Sequence, residues 1–89
     1  MKSRFIKSVF HMTLAPYSSQ YAKLRSALVA QRKKASLTQS DLAIKLNKPQ
    51  SFVSKYERGE RRLDVIECIL IAKALGIDPL RFLRQFIRD

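Results

Sequence analysis

At 89 residues the chain has room for one small domain, since a split would leave neither half enough interior to bury. Eighteen Lys and Arg against seven Asp and Glu give a net charge of +11, with no acid before Asp41, so the surface suits a polyanion: nucleic acid, an anionic membrane face or an acidic protein. One cysteine and one histidine exclude a disulfide framework and a Cys/His metal site, and no window approaches the roughly eighteen apolar residues of a membrane span.

The opening MKSRFIKSVFHMTLAPY has a basic start and a short apolar stretch, but His11 and Thr13 interrupt it and no small-residue cleavage site follows. It therefore makes a poor secretory leader, and a reducing cytoplasm fits the lone Cys68, read as a small buried hydrophobe. Phe5, Ile6, Val9, Phe10, Met12 and Leu14 leave three readings open: a short strand, an arm packed on the last helix, or a disordered tag. The reading carried forward is an N-terminal arm over residues 1–17 beside a domain over 18–89, with Met12 offering a second start.

Few glycines and prolines, and no alternating strand after residue 18, predict helices joined by tight turns, five in all. Ser18 or Ser19 is the expected cap of a long basic helix reaching about Ala35, with Tyr21, Leu24, Leu28 and Ala27 inward. Thr38 and Asp41 have capping-box spacing and open a short helix with Leu42, Ala43 and Leu46 on one face, stopped near Asn47. Pro49 presets the first turn of a third helix that Gly59 terminates.

Asp64 and Glu67 cap a fourth helix, closed by Gly76 and apolar nearly all round, with Val65, Cys68, Ile69, Ala72 and Leu75 as one stripe and Ile66, Leu70 and Ala74 opposite. Such a helix is expected to be central or covered. Asp78 and Pro79 open a fifth over about 79–88, with Leu80, Phe82, Leu83, Phe86 and Ile87 against Arg81, Arg84 and Arg88. Its surplus of large apolar side chains marks Phe82 and Phe86 as candidates for core or dimer interface.

The third helix carries the chemistry. At about 100° per residue, Gln50, Ser54, Arg58, Ser51 and Lys55 fall within an arc of about 140°, and Phe52, Val53 and Tyr56 lie on the other side. A solvated face ordinarily mixes signs; this one has no acid, and Glu57 sits at its edge. Gln pairs with adenine N6/N7, Lys donates to guanine O6/N7, and Ser bonds bases or phosphates, so the ridge suits the DNA major groove. Arg58, Arg61 and Arg62 after the helix, and Lys48 before it, stand where phosphates would run. By contrast Lys23, Arg25, Lys33 and Lys34 read as diffuse field.

LTQSDLAIKLNKPQSFVSKYERGERRLD, extended to IAKALGIDPLRFL, resembles the lambda-repressor-like helix-turn-helix family of the Cro and XRE type over roughly residues 20–83. The resemblance implies an all-α, compact five-helix bundle, with a positioning helix over 39–46 and a recognition helix over 50–57. It implies that Gln39 bonds a phosphate and braces Gln50, that Gln50, Ser51 and Lys55 read bases, and that Arg32 and Glu57 form a partly buried ion pair. Lys48, Ser54, Arg58, Arg61 and Arg62 join Gln39 as phosphate contacts.

Ser36 and Asn47 depart from the family pattern, standing where glycine is common, and Phe52 is larger than the usual Ser or Thr. Phe52 packs inward or touches a thymine methyl, inward being the preferred reading.

The expectation is a sequence-specific regulator of double-stranded DNA, most simply a repressor, acting as a homodimer because one short helix reads only a few base pairs. The rival is an antitoxin or accessory module whose apolar surplus binds a protein partner, with DNA secondary. A membrane-surface or RNA-binding role fits less well, because the aromatics lie on apolar faces. No phosphate loop, paired nucleophile and base, or acid pair points to an enzyme or a cofactor.

Overall fold

The chain runs through α1 (Leu14–Lys34), α2 (Gln39–Leu46), α3 (Gln50–Glu57), α4 (Val65–Ala74) and α5 (Pro79–Arg84). The structure, a computed structural model, describes residues 14–87, with side chains from residue 19 onward, and contains no strand among them. Most of the expected arm, residues 1–13, lies outside the described residues.

α1 begins at Leu14, ahead of the cap expected at Ser18 or Ser19. Pro16 is compatible with that start, because in a first turn its missing N–H has no partner to lose. α2 and α4 open on true capping boxes: Thr38 exchanges hydrogen bonds with Asp41, and Asp64 with Glu67. The bonds from Thr38 hold the Asp41 carboxyl below its ordinary range.

Four helices end in one way. Ser36, Asn47, Gly59 and Gly76 take positive φ angles of 60°, 57°, 82° and 78°. Beyond each, a backbone N–H donates to the carbonyl five residues back: Leu37 to Arg32, Lys48 to Ala43, Glu60 to Lys55 and Ile77 to Ala72. This is the Schellman termination, which satisfies otherwise orphaned carbonyls. Ser36 and Asn47 adopt the turn geometry that glycine would take more cheaply.

Leu28 of α1, Leu42 and Ala43 of α2, Phe52, Val53 and Tyr56 of α3, Ile71 and Leu75 at α4 and Phe82 of α5 form one core. Each fully buried aliphatic such as Leu28, Leu42 or Ile71 stabilises the fold by roughly 1.5–3 kcal/mol. The Tyr56 hydroxyl is buried and has no hydrogen-bond partner among the described residues, and this burial pushes its pKa upward.

Two helices differ from expectation. α4 is not covered all round: Cys68, Ile71 and Ala72 face the core, whereas Val65, Ile66 and Leu70 are 62%, 59% and 50% exposed. Its composition could not say which of two apolar sides the bundle would choose. α5 stops at Arg84, and Phe86 and Ile87 follow in a turn whose N–H groups reach Leu83 and Arg84 carbonyls. Arg88 lies outside the described residues.

Candidate nucleic-acid interface

α3 is moored by its apolar side. Phe52, Val53 and Tyr56 are buried, and Phe52 meets Tyr56 edge to face at 5.6 Å between ring centroids. Gln50, Ser51 and Lys55 are therefore exposed together on the opposite side. Ser54 is half-buried and donates to the Ser51 carbonyl at 3.3 Å. No acidic residue occupies the first turn and Pro49 supplies no side-chain cap, so the helix N-terminus stays electropositive.

A chain of polar contacts runs from α1 to the tip of this ridge. Arg32 donates through Nε to Glu57 Oε2 at 2.7 Å and through Nη2 to Oε1 at 3.1 Å, while Nη1 donates to the Leu37 carbonyl at 2.7 Å. The pair is mostly buried, its side chains 10% and 7% exposed, and the hydrogen bond to Glu57 raises the Arg32 pKa. Gln39 Nε2 donates to Glu57 Oε1 at 2.8 Å, and Gln50 Nε2 donates to Gln39 Oε1 at 3.4 Å. Gln39 thus links the ion pair to the first residue of α3.

The flanking cations are more engaged than their spacing in the sequence implied. Arg58 makes two hydrogen bonds to Glu60, at 2.9 and 3.0 Å, and holds that carboxyl below its usual range. Arg61 grips Glu67 at 3.0 and 2.8 Å, which likewise lowers the Glu67 pKa. Phe52 packs inward, the residue being 9% exposed, and the Arg61 guanidinium and Lys48 ammonium lie 4.7 and 5.3 Å from its ring centroid. Arg62, exposed, lies 5.0 Å from the Tyr21 ring.

Tyr21 carries a role that the sequence reading missed. Its hydroxyl accepts from Leu63 N at 2.8 Å and donates to the Arg61 carbonyl at 3.3 Å, tying the basic loop after α3 to α1. The available signal was general: a tyrosine on an apolar stripe needs a partner for its hydroxyl. Arg25, read as diffuse field, instead lies against Gly59, where an added Cβ would come within 3.0 Å of its Cζ. Phe82, an interface candidate, is 6% exposed in the chain's own core and meets half-buried Phe86 edge to face at 5.4 Å.

Two short helices packed against each other, joined by a left-handed turn at Asn47 and presenting a polar ridge, define a helix-turn-helix DNA-binding domain. A helix-turn-helix family model matches residues 28–82. A solved XRE-family like protein from Pseudomonas syringae pv. tomato str. DC3000 is 42% identical, with a TM-score of 0.81 over 83% of this chain and 90% of that one. A search of curated proteins gives no match. The chain belongs to the Cro/C1-type, XRE-like helix-turn-helix family of DNA-binding transcription regulators.

Proposed function

We propose that this protein is a sequence-specific repressor that reads the major groove of double-stranded DNA with Gln50, Ser51 and Lys55. The observation that carries the reading is that these three side chains stand exposed on one acid-free side of α3 while Phe52, Val53 and Tyr56 hold its other side in the core. Gln39, held by Glu57, sets the orientation of Gln50. Gln39, Lys48, Ser54, Arg58, Arg61 and Arg62 are the phosphate-directed groups, which fix register without reading sequence.

A homodimer in the cytoplasm completes the proposal, because two half-sites one helical turn apart supply the affinity a single short helix lacks. The seam is the α5 end, where Leu80 and Ile87 are 64% and 72% exposed beside Phe86, with Phe82 beneath as its support. The alternative, an antitoxin or accessory subunit with secondary DNA binding, draws on the exposed Val65, Ile66 and Leu70 of α4.

The test is fluorescence anisotropy on an operator selected from random duplexes. Lys55→Ala relaxes discrimination between operator and scrambled DNA, whereas Arg62→Ala weakens both alike and lowers the salt slope by about one unit. Equal losses on both duplexes in both variants would remove Lys55 as a base reader. Co-purification of a stoichiometric protein partner that blocks operator binding would favour the alternative.

A further inference from the structure

Phe52 is the one large aromatic on α3 besides Tyr56, and its ring is shared by two cations from opposite ends of the helix. Lys48 precedes α3 and Arg61 follows it, yet both charged groups lie close enough to the ring centroid, 5.3 and 4.7 Å, for cation–π attraction. A Ser or Thr at this position could hold neither. The ring is itself held from beneath by Tyr56, so it offers a fixed platform rather than a mobile one.

Arg61 is not thereby closed to an anion. Of its five donors, three are engaged, two with Glu67 and one with the Arg62 carbonyl. Nε and one Nη2 hydrogen stay open, and 41% of the side chain is exposed. Lys48 is exposed as well.

We infer that Phe52 is a positioning residue for DNA binding: its ring orders Lys48 and Arg61 together beside α3, so that both meet phosphates without first losing side-chain freedom. Long cationic side chains lose much rotamer entropy when they are fixed, and a platform that fixes them beforehand moves that loss from binding to folding. Phe52 then acts on affinity and not on sequence choice, which stays with Gln50, Ser51 and Lys55.

The inference rests on the DNA-binding reading above, and a mutant cycle separates the two. Binding is measured on operator and scrambled duplexes for Phe52→Leu, for the double variant Lys48→Met/Arg61→Met, and for their combination. Phe52→Leu weakens both duplexes by about two- to fivefold per cation released, with discrimination unchanged. In the Lys48→Met/Arg61→Met background the same change has no further effect.

Should Phe52→Leu fold poorly, Phe52→pentafluorophenylalanine keeps the ring's shape while removing the negative face, and the same cancellation is expected. An equal loss in both backgrounds means that the ring acts only through packing, and overturns the inference. Failure of the base-reading proposal looks different: wild-type protein binds operator and scrambled duplexes alike, while the cycle on either duplex still reports on Phe52.

Discussion

Arg32 and Glu57 stand 25 positions apart and meet through two hydrogen bonds, yet neither touches the exposed ridge that the pair serves. Glu57 ends α3 and Arg32 lies in the last turn of α1, so the pair sets the roll of the recognition helix about its own axis. Removing one member leaves a mostly buried charge without compensation. Glu57→Leu should cost about 2–4 kcal/mol in urea unfolding, less than a wholly buried pair because its edge still reaches water. Replacing both residues by apolar ones should cost less than Glu57→Leu alone, and a larger loss in the double variant would refute the desolvation account.

The helix ends give a second prediction. Gly59 and Gly76 share nearly the same left-handed backbone, with φ of 82° and 78°, so alanine carries a similar conformational cost of about 1 kcal/mol at each. They differ in surroundings: a Cβ at Gly59 meets the Arg25 guanidinium, and one at Gly76 meets nothing within 4 Å. Gly59→Ala should therefore lower the melting temperature more than Gly76→Ala. In an Arg25→Ala background the two losses should become equal.

Those ends were readable because termination is local chemistry. Thr38 with Asp41, Asp64 with Glu67, Asn47, Gly59 and Gly76 each act within a few residues, and α2 and α3 lie where such signals place them. The segregated faces of α3 were equally legible, since a period of 3.6 fixes which side chains point together. The choice of buried face on α4 was not legible, because both sides are apolar and only neighbouring helices decide between Ile71 and Leu70. Nor were the partners of Arg61: Glu67 stands six positions on, across the loop into α4, and Phe52 nine positions back, neither a separation with a local rule.

Acid stability follows from Glu67. Its carboxyl is held below the ordinary range, first by the side-chain bonds from Arg61 and then by the backbone N–H of Asp64. A carboxylate with a depressed folded-state pKa contributes stability above its unfolded pKa of about 4.3, and loses it as pH falls through the folded value. Thermal melts of wild type should thus decline below about pH 5. Glu67→Gln should melt lower than wild type at pH 7, decline less steeply, and converge with it in acid. Parallel curves at all pH values would show that Arg61 and Glu67 contribute nothing through charge.

The last prediction concerns the cation nearest the end of α3. Arg58 is held by Glu60 in two hydrogen bonds, and both side chains are 55% exposed, so the pair is open to exchange with a third group. A phosphate approaching Arg58 must displace Glu60 or share the guanidinium with it, and in either case a negative charge stays close to the DNA backbone. Exposed pairs of this kind add little to folding, because solvent and salt screen them. Glu60→Gln should therefore leave the melting temperature nearly unchanged while strengthening binding to operator and scrambled duplexes alike. Its salt dependence should steepen by up to about one unit, as Arg58 becomes free to release a further counterion. Tighter binding confined to the operator would mean that Arg58 reads bases, and weaker binding on both duplexes would mean that Glu60 aims Arg58 at a phosphate instead of competing for it.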